Sequence, residues 1–156
     1  MIEIDIPGFK ILRLNHLVLD YNGTLACDGK LLPGVQERLR ALSDELSIHV
    51  LTADTFGQAR TYLDDIPCEV SVIAAEYQEI GKLTYVNEIG AQHSVCIGNG
   101  RNDRLMLKEA ALGIAVILEE GAAIETLLAA DVVCTGIVPA LDLLRRPLRL
   151  TATMRS

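Results

Sequence analysis

Short runs of β-branched and other apolar residues alternate along the chain with longer segments whose apolar residues recur at helical spacing. The clearest helix is residues 33–46, with a proline in its first turn. The predicted strands are residues 14–20, 47–51, 68–73 and 93–97, and the predicted helices are residues 33–46, 55–63, 75–89 and 103–110. Residues 113–117, 122–128, 131–134 and 137–144 continue the alternation.

Repeated strand–helix units of this length predict a parallel sheet with right-handed crossovers and helices on both faces. The 156 residues fit one domain, and no linker, repeat or low-complexity stretch divides them. Half of the residues are apolar but only 4% are aromatic, so the core must consist mainly of Ala, Val, Ile and Leu. We therefore expect a single three-layer α/β/α, Rossmann-like domain over residues 1–156.

The charge of the chain argues against nucleic acid as a partner. The net charge is −7, whereas binding a phosphate backbone needs a basic face. The one basic cluster, Arg145, Arg146 and Arg149, is explained by a helix end followed by a solvated tail. No apolar run approaches the roughly 20 residues that span a bilayer, so no membrane partner is expected.

The four cysteines are far apart and form no CxxC pair, which makes a zinc site improbable on spacing alone. They are Cys27, Cys68, Cys96 and Cys134. Buried free thiols in a reducing compartment are the natural interpretation, and this favours a cytoplasmic protein.

Polar residues with chemical potential follow the predicted strands. Asp20 to Thr24 come after the first strand, Thr52 after the second, and residues 98–103 after the fourth, while Lys82 lies on the third helix. In a parallel sheet these strand ends meet at one edge, where ligands bind. A carboxylate nucleophile, a hydroxyl, an ammonium and a second carboxylate are the groups that phosphoryl transfer to an aspartate requires.

Each of these residues has an ordinary structural explanation when it is taken alone. Asp20 is a suitable turn former, and Thr52 is a suitable helix cap. An isolated Lys82 would usually be a solvated helix residue, and Asn102 or Asp103 would cap the helix that follows. Their joint occurrence on these elements favours a functional site instead.

The same residues have features of two other kinds of site. Residues 98–100 supply two glycines of a dinucleotide fingerprint, but Asp103 occupies the place of the third, so a nicotinamide site is disfavoured. Bacterial receiver domains also combine Asp, Thr and Lys. They accept phosphate after the third strand, however, whereas Asp20 follows the first.

The motifs in this order resemble those of the haloacid dehalogenase (HAD) superfamily. Residues 18–25 read VLDYNGTL and are similar to its signature, in which two apolar residues precede Asp-x-Asp-Gly-Thr. Thr52 resembles the second motif, Lys82 the third and residues 98–103 the fourth. Within the superfamily, LTAD at residues 51–54 and the segment after residue 97 are similar to the phosphorylation domain of P-type transport ATPases. The resemblance extends from about residue 14 to 145.

The resemblance implies a role for each matching residue. Asp20 would be the phosphate-accepting nucleophile and a Mg²⁺ ligand, Asn22 would offer its backbone carbonyl to Mg²⁺, and Asp103 would be the second carboxylate on the metal. The phosphoryl group would be held by Thr52, Ala53, Lys82 and Asn102. A hard, oxygen-rich site of this kind suits Mg²⁺.

Two substitutions within the motifs leave the function open between two classes. Asn22 stands where HAD phosphatases have a second Asp as general acid and base, a role typically worth about 10²–10⁴ in rate. Asn99 likewise replaces an acidic neighbour of the metal. The expected function is a Mg²⁺-dependent phosphohydrolase that acts on a phosphorylated substrate and that Asn22 would make slow. The alternative is a regulatory or binding module that takes up phosphate and Mg²⁺ without efficient hydrolysis.

The distance between the first two motifs leaves no room for a cap domain or for the nucleotide-binding domain of a pump. Residues 25–51 fit only a short flap, at about 25–32, one helix and one strand. An uncapped site is open to water, so a neighbouring subunit is expected to cover it. Leu31 and Leu32 of the flap are the candidate contact, and the alternative is that they pack beneath the flap.

Overall fold

The computed structural model describes residues 1–54 and 57–156 and contains a six-stranded parallel sheet. The sheet has the strand order β10-β9-β8-β3-β6-β7. Two antiparallel hairpins, β1–β2 and β4–β5, lie outside it. The strands are β1 (Ile2–Ile6), β2 (Lys10–Leu14), β3 (His16–Asp20), β4 (Ala26–Cys27), β5 (Lys30–Leu31), β6 (Ser47–Thr52), β7 (Glu69–Val72), β8 (Ser94–Gly98), β9 (Leu112–Val116) and β10 (Val132–Cys134).

Helices cover both faces of the sheet, as the strand–helix alternation predicted. They are α1 (Val35–Leu42), α2 (Gln58–Leu63), α3 (Gln78–Ile89), α4 (Arg104–Glu109), α5 (Ile124–Ala129), α6 (Ile137–Arg145) and α7 (Pro147–Met154), with short 3₁₀ turns at Ala75–Tyr77, Ala91–His93 and Arg101–Asp103. Alternate residues of β3 show the two layers, since Leu17 and Leu19 join one buried cluster and Val18 joins the other. The three-layer α/β/α fold without a cap domain is therefore confirmed.

The position of β3 determines where a site can form. This first strand of the sheet lies at its centre, with β6 on one side and β8 on the other. The chain runs from β3 outward to β6 and β7, and then returns to the other side of β3 at β8. Such a reversal of strand order opens a crevice at the carboxyl ends of the strands.

Both ends of the chain form structure that the sequence pattern did not predict. The β1–β2 hairpin buries Ile2, Ile4 and Ile6, and Leu150 on α7 is fully buried against it. The packed core thus extends beyond residues 14–145. The prediction of a solvated tail after Arg145 was wrong for α7, because an apolar face at helical spacing gives residues 147–154 a surface to bury.

The predicted elements are present within a few residues of their expected ends. The predicted start of the second helix at Thr55 lies outside the described residues. The flap exists as the β4–β5 hairpin, and Leu31 and Leu32 pack against the core beneath it. This is the alternative arrangement for those leucines, which remain half-buried, and self-association stays a prediction.

The four cysteines are predicted from the sequence to be buried free thiols. All four thiols are free, but only Cys96 is fully buried, and the others are half-buried. Across residues 1–54 and 57–156, none of the helices is both long and apolar enough to cross a membrane.

Candidate active site

A cleft of about 330 Å³ lies at the carboxyl ends of the central strands, where the strand order reverses. Asp20 ends β3 and Thr52 ends β6, so the sheet itself brings these two side chains to the cleft. The described residues that line it are Asp20, Asn22, Thr52, Ala53, Gln78, Asn99, Gly100, Asn102 and Glu120 to Ala123.

Lys82 lies directly beneath the cleft, between two carboxylates. Its Nζ donates to Asp20 Oδ1 and to Asp103 Oδ1, both at 2.7 Å, and its side chain has no exposed surface. Burial lowers the pKa of the Lys82 ammonium, but the two carboxylates outweigh that effect and raise it above its ordinary value. The ammonium is therefore held charged below the floor of the cleft.

Asp103 is the more enclosed of the two carboxylates that flank Lys82. Its Oδ2 accepts the backbone N–H groups of Asn99 and Gly100 at 3.0 and 2.9 Å, while Oδ1 accepts Lys82. A Cβ at Gly98 would lie 2.5 Å from the Asp103 carboxylate, so only glycine lets the strand end wrap this closely around it. Asp103 is fully buried and is not among the residues that line the cleft.

Asp20 is the carboxylate that faces the cleft. Its Oδ2 accepts the Thr24 hydroxyl at 3.1 Å, and 8% of the residue is exposed. Burial raises the pKa of the Asp20 carboxyl and the Asp103 carboxylate raises it further, while Lys82 opposes both effects, so that it lies at about 7. Asp20 thus combines access to the cleft with a basic carboxylate, which suits a nucleophile.

The rim opposite Thr52 is formed by the loop that follows β9. The Asn99 backbone carbonyl accepts Ala123 N–H at 2.9 Å, and its amide Nδ2 donates to Gly121 O at 3.1 Å. A Cβ at Gly23 would lie 1.7 Å from Glu120 Oε1 and 2.6 Å from Asn99 Nδ2. The Glu120 carboxylate therefore lies against Gly23, which has a positive φ of 79°.

All of the residues predicted from the sequence come together at this cleft. Asn22, Thr52, Ala53 and Asn102 line it beside Asp20, while Lys82 and Asp103 support it from beneath. Gln78 and residues 120–123 also line the cleft, and the sequence did not predict them as site residues. No motif marks them, although residues 120–123 follow a strand of the same sheet and could have been sought there.

The donors available to a divalent cation are mostly uncharged oxygen atoms. Within residues 1–54 and 57–156, no three His, Cys, Asp or Glu side chains converge as a metal centre. Asp20 faces the cleft with Asn22 and Asn99, and the Thr24 hydroxyl lies 3.1 Å from Asp20 Oδ2 and 3.4 Å from Asn99 Oδ1. One carboxylate with neutral oxygens and water fits Mg²⁺, which commonly keeps several waters.

Solved structures with the same fold are HAD phosphatases and hydrolases. The cobalt-bound deoxy-D-mannose-octulosonate 8-phosphate phosphatase of Haemophilus influenzae matches with a TM-score of 0.72 and 14% identity over 92% of this chain and 94% of that one. A phosphoserine phosphatase in its apo form matches with a TM-score of 0.68 and 12% identity over 85% and 98% of the two chains. At these identities the likeness establishes the fold. The likeness to P-type ATPases stays a prediction.

Sequence comparison places the chain beside two archaeal proteins from Methanocaldococcus jannaschii. The uncharacterized protein MJ0073 is 45% identical over 82 residues, which are 50% of this chain and 88% of that protein. The uncharacterized protein MJ0072 is 51% identical over 39 residues, which are 25% of this chain and 89% of that protein. No family model matches the sequence. The chain therefore belongs to the family of these two M. jannaschii proteins, and its fold is that of the HAD phosphatases.

Proposed function

We propose that this protein is a phosphohydrolase that cleaves phosphate monoesters through a phosphoryl group carried on Asp20. The observation that supports this most directly is the Asp20 carboxylate, which is open to the cleft while Lys82 holds its other oxygen at 2.7 Å. A carboxylate fixed in this way presents one oxygen to an incoming phosphorus atom. The fold shared with solved HAD phosphatases supports the same reaction class.

In the proposed reaction, an Asp20 oxygen attacks phosphorus as the ester P–O bond breaks. The departing alkoxide takes up a proton from solvent water, and a second water molecule then hydrolyses the aspartyl-phosphate, which releases phosphate and restores Asp20. Lys82 offsets the charge that gathers on the phosphoryl oxygens, and Thr52, Ala53 and Asn102 line the space those oxygens would enter. Asn22 cannot carry the proton, because an amide is neither an acid nor a base near neutral pH.

A bound Mg²⁺ would contribute charge neutralisation of the phosphoryl oxygens at this cleft. We propose that Asp20, the Asn22 backbone carbonyl and Asn99 Oδ1 would hold it. Asp103 was predicted from the resemblance as a metal ligand, and this assignment stays untested. Its burial and its three N–H donors favour support of Lys82 and of the loop instead.

The experiment is a screen of phosphate monoesters with and without Mg²⁺, using the wild type and Asp20→Asn. We expect Mg²⁺-dependent release of phosphate by the wild type and a fall to background in Asp20→Asn. Asp44→Asn, an exposed carboxylate remote from the cleft, is the control and should retain full activity. Equal turnover by wild type and Asp20→Asn would overturn the proposal.

A second candidate function rests on Asn22 specifically. Without a general acid at this position, the protein would take up phosphate on Asp20 and release it slowly, as a regulatory module does. Asn22→Asp tests this alternative, since a restored carboxyl should raise turnover by about 10²–10⁴ if proton transfer limits the natural protein. Brisk turnover by the wild type, with little gain in Asn22→Asp, would reject the regulatory function.

A further inference from the structure

The positive charge at the cleft is the Lys82 ammonium beneath its floor, and the described residues of the rim add none. Lys82 lies beneath Asp20, and the described residues that line the cleft include no Lys, Arg or His. Apart from the Asn102 amide at the proposed phosphoryl position, the lining offers the side-chain amides of Asn22 and Gln78. Amides donate to and accept from hydroxyl groups equally well, whereas they offer an anion no net charge.

Among the described residues on the rim, Glu120 is the one with a charged side chain. It lies at a tight turn in which Gly121 N–H donates to Leu118 O at 3.0 Å, and the bond from Asn99 Nδ2 to Gly121 O fixes this turn against the floor. Among the described residues, no Lys or Arg forms an ion pair with Glu120. Its negative charge therefore acts on whatever occupies the cleft.

From this charge distribution we infer the substrate class, an inference that rests on the proposed phosphohydrolase function. The protein cleaves phosphate monoesters of small, uncharged, hydroxyl-rich alcohols such as polyols and sugars. Glu120 is the residue that discriminates against substrates with a second anionic group. A cleft of about 330 Å³ is at the lower end of the size range of small-molecule pockets, which fits a substrate of this size.

The test compares glycerol 3-phosphate with 3-phosphoglycerate, which differ chiefly in an uncharged hydroxymethyl group and a carboxylate. We expect kcat/KM to favour glycerol 3-phosphate about three- to tenfold, the size of effect that one exposed charge exerts on another in water. Glu120→Gln should bring the two values close together by improving 3-phosphoglycerate. Raising the salt concentration should shrink the wild-type preference in the same way.

The control is Glu119→Gln, which removes the neighbouring exposed carboxylate that does not line the cleft and should leave the preference unchanged. If wild type hydrolyses both esters equally, or if Glu120→Gln keeps the wild-type ratio, the inference is wrong while the phosphohydrolase function stands. If no phosphate monoester is hydrolysed and Asp20 takes up no BeF₃⁻, the proposed function itself fails.

Discussion

Lys82 lies between two carboxylates whose surroundings differ, Asp20 at the cleft and Asp103 in the interior. On the cleft side, Asp20 accepts Lys82 and one hydroxyl, and it remains 8% exposed. On the buried side, Asp103 accepts Lys82 and two backbone N–H groups, and it has no exposed surface. Both carboxylates lie 2.7 Å from the same ammonium. The remaining donors and the exposure, rather than the ion pair, therefore distinguish the two carboxylates.

Removing the shared cation should have the largest effect, because it leaves both carboxylates buried and facing each other. Lys82→Met should lose about 3–5 kcal/mol of unfolding free energy at neutral pH. The loss should shrink in acid, where the carboxyls take up protons. Denaturant unfolding at several pH values measures this, with exposed Lys108→Met as the control. A Lys82→Met protein as stable as the wild type at pH 7 would show that Lys82 does not offset the charges of Asp20 and Asp103.

Exchanging each carboxylate for its amide should separate the two sides. Asp103→Asn should destabilise the fold by about 1–3 kcal/mol, because an amide cannot accept all three N–H donors and leaves one of them without a partner. Asp20→Asn loses only one ion pair beside the cleft, so it should be much less costly. Denaturant unfolding of the two variants in parallel measures which one loses more unfolding free energy. An equal loss in both would show that the two carboxylates contribute alike to stability.

The pH dependence of stability should show a smaller effect from Asp20 alone. Its pKa is raised from 3.8 to about 7 by folding, so between these values the folded state binds more protons than the unfolded state. Stability of the metal-free protein should therefore fall as pH rises through this window, each pKa unit being worth about 1.4 kcal/mol.

The comparison with Asp20→Asn in a chelator isolates this contribution. The amide does not titrate, so its stability relative to the wild type should rise between about pH 4 and 7 and then level off. A difference that is flat over this range would show that folding does not raise the pKa of Asp20.

The smallest effect should come from the hydroxyl on the cleft side. Thr24→Val keeps the shape of the buried side chain but removes the donor to Asp20, at a cost of about 0.5–1.5 kcal/mol. The variant should fold normally and have reduced turnover. Wild-type turnover in Thr24→Val would show that this bond does not help to position Asp20.

The sequence predicted the centre of this molecule better than its margins. Asp20 and Thr52 were found because each ends a long apolar strand, and the carboxyl ends of parallel strands must meet. Lys82 needed the motif order, since helical spacing alone cannot distinguish a buried lysine from a solvated one. The burial of Asp103, and with it the contrast between the two carboxylates, depends on packing that no local pattern encodes.

The N-terminal strand β1 and the Glu120 turn were not predicted, for a different reason. Ile2, Ile4 and Ile6 alternate with polar residues as in a strand with one buried face. Such a short run does not by itself predict what would bury that face, which is the helix α7 some 140 residues later. Glu120 lies in a turn with no motif around it. Its place on the rim follows from the hydrogen bonds of the Asn99 backbone and side chain to the loop after β9, which are contacts distant in sequence.

The central position of β3 has a consequence for motion. Because β6 and β8 pair with it on both sides, the backbone amides of residues 17–19 should exchange with solvent deuterium only when the whole domain opens. The strands of the β4–β5 hairpin pair over two residues each, outside the six-stranded sheet, so its amides should exchange sooner. We therefore expect Asp20 to be anchored to the slowest-exchanging strand of the sheet and the flap beside it to open more often than β3.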